Sequence, residues 1–189
     1  FELTDVNPSS AMFDLKKLEA INAEYIRAMS PEDFSHALTS WIKEESWGAV
    51  VDADELRKVA PLIQERTKVL SEGPAQLDFF FLTNPEFDEA AWTKVMRSDE
   101  APLILSAVKT AVAEVEWDST ALHEMLRSIG EQHGMKLGKA QAPLRVAITG
   151  RSVGPPLFES MQFLGRETVV QRITAAQQKL DTNKPIDSP

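Results

Sequence analysis

Pro143-Leu-Arg-Val-Ala-Ile-Thr-Gly150, with Gly154-Pro-Pro-Leu-Phe158 and Leu164-Gly-Arg-Glu167 just beyond it, is the stretch on which the reading of this chain turns. Prolines and glycines punctuate its backbone, and Arg145, Arg151 and Arg166 are spaced along it. The tract reads as a stiffened loop that presents guanidinium donors. A loop of that kind suits a polyanion and needs no catalytic group beside it. On either side, apolar residues recur at helical spacing, and the alternation that marks half-buried strands is missing. The expected fold class is all-α.

Upstream of the tract, Phe13, Leu18, Ile21, Tyr25 and Ile26 recur at helical spacing, with Asp14 as a candidate N-cap. Ser30-Pro31-Glu32-Asp33 starts a second helix: a serine cap, a proline in the first turn, then acids at the positive end of the dipole. Phe34, Leu38, Trp41 and Ile42 follow on one face. A third helix is expected from about Asp54 to Leu70, ended by Gly73-Pro74. The aromatic run Leu77 to Leu82 reads as helical in this context. After Thr83-Asn-Pro85, helices are expected from Phe87 to Met96, from Pro102 to Glu114, and from Trp117-Asp-Ser-Thr120 to Gly134. Two more flank Gly165. The polar tail from Asp181 is expected to fray.

Composition narrows the function classes. The 189 residues are 43% apolar, enough for a core, and include no cysteine, which excludes disulfides and thiolate chemistry. Phe1-Glu-Leu-Thr-Asp5 lacks the basic and apolar regions of a signal peptide. No apolar run approaches the roughly 20 residues of a membrane helix. In Asn7-Pro8-Ser9 the proline excludes glycosylation. A cytoplasmic protein with no membrane partner is expected. The net charge of −9 argues, taken alone, against nucleic acid. Yet between Met135 and Ala175, Lys136, Lys139, Arg145, Arg151, Arg166 and Arg172 face only Glu159 and Glu167, a local excess of +4. A local basic surface is what an RNA contact requires.

Catalytic and metal signatures are weak. His36, His123 and His133 are far apart and not at ligand spacing. Ser35-His36 are sequence neighbours, which is not how hydrolytic triads are assembled. Glu44-Glu45 and Asp52/Asp54/Glu55 read as solvated faces or caps rather than as an acid–base pair. Gly150 and Gly154 lack the Lys-Ser/Thr that completes a phosphate loop. Trp41, Trp47, Trp92 and Trp117 could stack on bases, but their positions suit core anchors better.

A family resemblance adds to this. Phe13-Asp14 with Lys17-Leu18, Asn22 and Tyr25-Ile26 resembles the segment that follows the catalytic domain in bacterial glutamyl-tRNA synthetases. Leu62-Ile-Gln-Glu-Arg-Thr-Lys-Val-Leu70 is similar to the helix that carries an anticodon-reading arginine in that family. Leu137-Gly138, Pro143-Leu-Arg145, Thr149-Gly150, Pro155, Leu157-Phe158 and Leu164-Gly-Arg-Glu167 match its terminal signature. The likeness runs in order from residue 1 to about 180. Ala20 departs from a frequent tryptophan, and Gly154 stands where some relatives have threonine, which removes a side-chain contact there. The His-x-Gly-His and Lys-Met-Ser-Lys-Ser type motifs of class I synthetases are absent.

The resemblance implies an all-α chain with two consecutive helical anticodon-binding subdomains. Residues 1–30 would be a remnant of the stem-contact region, 31–85 the first subdomain, 86–180 the second and 181–189 a disordered tail. It implies a C-terminal fragment of a glutamate–tRNA ligase, inactive and without cofactor on its own, and monomeric. The full-length form would join L-glutamate to tRNA-Glu with ATP and magnesium. By the same resemblance, Arg66 reads the third anticodon base, Arg145 and Leu157 meet the middle base, Pro155 meets the first, and Arg127 lies near the RNA, where it can meet phosphate. Cytosine shows a guanidinium two adjacent acceptors, whereas guanine shows it N–H donors, so Arg66 suits tRNA-Glu over tRNA-Gln. The bland readings are an exposed helix residue for Arg66 and a cap or salt bridge for Arg145. A helical protein-interaction module without RNA binding is the competing class, supported by the acidic bulk and apolar helix faces.

Overall fold

Side-chain caps start the helices. In the computed structural model, which describes residues 14–182, the Asp14 carboxylate accepts the Lys17 amide at 3.1 Å and opens α1 (Leu15–Ala28). Ser30 Oγ accepts the Asp33 amide at 3.1 Å and opens α2 (Pro31–Lys43). Asp52 caps α3 (Ala53–Val59), and Asp118 caps α8 (Ser119–Gln132), each through two amides of the first turn. These bonds satisfy donors that a helix start leaves unpaired. The remaining α-helices are α4 (Pro61–Gln64), α5 (Gly73–Phe81), α6 (Glu89–Ala91) running into a π-helical turn over Trp92–Met96, α7 (Glu100–Ala111), α9 (Leu137–Thr149) and α10 (Leu157–Thr182), with short 3-10 turns at Gly48–Val50 and Leu70–Glu72. No strand occurs among the described residues, so the fold is all-α as expected. The readings on residues 1–13, Phe13 included, and on the tail from 183 lie outside the described residues.

Three local expectations are corrected. The single helix expected over 54–70 is broken, because Pro61 has no N–H to continue the ladder and starts a separate turn. Gly73-Pro74 opens α5 rather than closing a helix, since a proline fits the first turn, where its missing N–H costs nothing. Most consequential, Pro143 to Thr149 is not a loop. It is the second half of α9, with Pro143 inside the helix. An interior proline costs about 3 kcal/mol. Leu144, Val146 and Ile148 are all 0% exposed, and burying each contributes about 1.5–3 kcal/mol, which outweighs that cost. Between α9 and α10 the irregular backbone spans only 150–156.

Two apolar clusters form the interior. The smaller is built from α1 to α5 around Ile26, Phe34, Leu38, Ile42, Val59, Ile63, Leu77 and Phe79. The larger runs from α6 to α10 around Trp92, Leu105, Leu126, Leu144, Ile148, Met161 and Ile173. Leu164 packs against both, and the Phe163 ring meets Phe80 edge-on at 5.4 Å. Arg172, 1% exposed, ties the two together. It donates to the carbonyls of Ile148 (2.7 Å), Phe79 (2.6 Å) and Leu82 (2.7 Å). Burial pushes its pKa down to about 10, with the Asp78 charge opposing the shift, so it stays charged at neutral pH.

The apolar residues of α1 do not all turn inward. Ala23 and Ile26 are buried, whereas Leu15, Leu18, Ile21 and Tyr25 are exposed. At about 100° per residue, the buried pair occupies one arc and the exposed group the arc beside it. Trp41 is likewise exposed, contrary to its expected role as a core anchor. Among the described residues, no helix is long and apolar enough to cross a membrane.

Gly150 ends α9 at φ 76°, and a Cβ there would lie 2.0 Å from the Glu86 carbonyl oxygen. Its own carbonyl accepts the Asp88 amide at 2.9 Å. Gly150→Ala is expected to cost about 3 kcal/mol or more, the sum of left-handed backbone strain and a clash with rigid backbone, measured by chemical denaturation.

Candidate nucleic-acid interface

The turn joining α9 to α10 is anchored along its length. Thr149 Oγ1 donates to the Arg145 carbonyl at 2.9 Å and accepts the Arg151 amide at 3.2 Å. At the far end, Ser160 Oγ donates to the Pro156 carbonyl at 2.6 Å. Arg151 reaches across to α5, where its guanidinium forms a two-pronged ion pair with Asp78, one contact at 2.9 Å, and also donates to the Ala75 carbonyl.

Two successive carbonyls of this turn receive arginines from different parts of the chain. Arg66 Nη1 donates to the carbonyl of Gly154, and Arg145 Nη1 donates to the carbonyl of Pro155 at 2.8 Å. Arg66 leaves from the turn after α4, where its amide bonds the Ile63 carbonyl at 3.0 Å. Arg145 projects from the middle of α9 and is half-buried. Burial holds the Arg145 guanidinium below its ordinary pKa, and the Arg66 charge adds to that effect. Two cations held on successive carbonyls favour any further acceptor that approaches. A side chain at position 154 would meet Arg145 Nη1 at 3.7 Å, so the glycine leaves open space before the guanidinium.

The other expected site residues sit differently. Pro155 is buried within the turn. Leu157 is 1% exposed in the larger core, so packing against a base would require that core to open. Arg127 is exposed on α8, with its guanidinium on Glu124 (Nε at 2.9 Å) and Glu131 (3.1 Å), both on the same helix. The Arg127 hydrogen bond holds the Glu124 carboxyl below the usual carboxylate range.

The expected basic surface is largely used internally. Arg172 is buried, Arg151 is on Asp78 and Lys139 is on Glu100. Arg166 lies over Trp117 at 5.1 Å and donates to the carbonyls of Val112, Ala113 and Val115 beyond α7. The count of +4 along the sequence is therefore not a surface of +4. Beside Arg66, Lys16, Arg27 and Lys68 line a groove shared with Glu19, Glu24 and Glu65.

Among the described residues, no three His, Asp or Glu side chains converge on a metal position. The 150–156 turn directs carbonyls, not amides, at its two arginines, the reverse of a phosphate cradle. The sequence named Arg151 only as part of the basic tract and gave no role to Asp78, its partner. The one signal was a carboxylate interrupting the apolar run Leu77-Asp78-Phe79.

The family model described as "Anticodon binding domain" matches residues 23–177. The chain is 48% identical over 183 residues to the glutamate–tRNA ligase of Frankia casuarinae, covering 95% of this chain and 39% of that protein. It is 48% identical over 185 residues to the glutamate–tRNA ligase of Streptomyces avermitilis, covering 95% and 36%. The chain thus spans under half the length of these relatives. Among solved structures, a glutamate tRNA ligase from Elizabethkingia meningosepticum in complex with its amino acid superimposes with a TM-score of 0.78 at 26% identity, covering 95% of this chain and 35% of that one.

Arg145→Ala is expected to destabilise the fold by about 1–2 kcal/mol, since it leaves the partly buried Pro155 carbonyl without its donor. Arg66→Ala, from an exposed position, costs less; thermal melts of the two variants compare them.

Proposed function

The chain belongs to the anticodon-binding domain family, and from that premise we propose that it recognises the anticodon loop of tRNA-Glu as part of a glutamate–tRNA ligase. The full-length ligase joins L-glutamate to tRNA-Glu using ATP and magnesium. That chemistry belongs to residues outside this chain, which is inactive alone, and the reading brings with it a cytoplasmic monomer.

The observation that carries the proposal is the convergence of Arg66 and Arg145 on adjacent carbonyls of one turn. RNA sequence is read mainly from bases splayed out of the stack. A guanidinium has several donors in a fixed fork, and the bond to Gly154 leaves others of Arg66 available. Cytosine offers them N3 and O2 side by side. Guanine turns N–H groups toward the same fork and leaves donors unpaired. An unpaired donor costs roughly 1–3 kcal/mol, on the order of 5- to 150-fold in preference. In this role Arg145 supplies a donor at the middle base, Pro155 stiffens the turn at the first, Leu157 anchors the turn from below, and Arg127 offers charge to a phosphate only by leaving its two glutamates.

Two measurements test the proposal. In the full-length ligase, Arg66→Ala narrows the preference for tRNA-Glu over tRNA-Gln; equal losses on both tRNAs reject base reading by this residue. Affinity for tRNA falls with added salt, but because most arginines of the basic tract are already bonded internally, the portion owed to this region is small. Neutralising Arg66 and Arg145 together removes no more than about two units of log–log slope.

A further inference from the structure

We infer that the Arg151–Asp78 ion pair is a positioning strut that sets the separation of the Arg66 and Arg145 guanidinia and thereby sharpens discrimination at the third anticodon base; this rests on the anticodon reading above.

The two base-reading arginines do not share a core. Arg66 follows α4, beside the smaller cluster, while Arg145 and the turn it supports extend from α9 in the larger one. Their spacing depends on whatever locks the turn to the smaller side. Arg172 and the Phe80–Phe163 contact join the clusters from within. Arg66 itself meets the turn at the Gly154 carbonyl, and Arg151 is the link made by a side chain of the turn, three residues before Gly154. It holds α5 at both Asp78 oxygens and at the Ala75 carbonyl, so translation and rotation are both fixed. A fork on a carboxylate sets orientation as well as distance, which an ammonium cannot do. The side chains are 36% and 18% exposed, at the edge of the cores rather than within them, so the pair is dispensable for burial but not for aligning the turn. Reading geometry is sensitive to displacements of about an ångström.

The test uses the full-length ligase and two tRNA transcripts that differ only in carrying C or G at the third anticodon position. Affinity for each is measured for the wild type, Arg151→Ala, Arg151→Lys and Asp78→Asn. Arg151→Ala and Asp78→Asn are expected to reduce the C-over-G ratio by roughly 3- to 30-fold, with Arg151→Lys recovering little of it. Asp78→Asn keeps the shape of the carboxylate and serves if Arg151→Ala does not fold. On an Arg66→Ala background, Arg151→Ala is expected to have no further effect on the ratio, because the strut acts through Arg66. An unchanged ratio in the folded single variants overturns the strut and leaves base reading standing. A loss that persists in full on the Arg66→Ala background also overturns it, as the mark of a general structural effect. A wild type that binds C and G equally removes the reading on which the strut rests.

Discussion

A guanidinium buried between two apolar clusters, that of Arg172, is the constraint on which the arrangement depends. An ion in such a place ordinarily requires a carboxylate beside it. Here its hydrogen-bond partners are carbonyls of Ile148, near the end of α9, and of Phe79 and Leu82, around the end of α5. Carbonyls in a last helical turn lack intrahelical donors and carry the negative end of the dipole. One cation placed where two helices terminate thus satisfies groups that burial would otherwise leave unpaired. It also fixes α5 relative to α9, the two helices from which Asp78 and Arg145 project.

The same preference recurs across the molecule. Arg166 gathers the carbonyls beyond α7, and Arg66 and Arg145 each take a carbonyl of the 150–156 turn. Arginine acts in this chain more as a backbone clamp than as a surface charge. That explains how an acidic protein can carry a basic tract without displaying a strongly basic face. Under the proposed function, a guanidinium already oriented by one carbonyl has less freedom to lose when a base presents a second acceptor.

Local features were legible in the sequence and non-local ones were not. The caps at Asp14 and Ser30 depend on residues within one turn, so spacing alone revealed them. Pro143 misled because a proline's local penalty says nothing about the burial of Leu144, Val146 and Ile148 beside it. The outward arc of α1 misled because periodicity identifies an apolar face without saying what covers it. Arg66 and Arg145 were named from a family likeness; no periodicity could have brought them to neighbouring peptide groups. The pairing of Arg151 with Asp78 stayed hidden because a long-range ion pair leaves no trace in spacing.

Gly165 interrupts α10 at φ 81° and ψ 157°, a region of backbone space open in practice only to glycine. Each helical residue advances the wheel by about 100°, so an unbroken helix would dictate where every later side chain points once the first is set. A single non-helical residue erases that memory. Phe163 can then be aimed at Phe80 while, beyond the break, Arg166 and Arg172 are dialled independently toward the end of α7 and the seam between the clusters. Two helices joined at a kink thereby acquire separate azimuths.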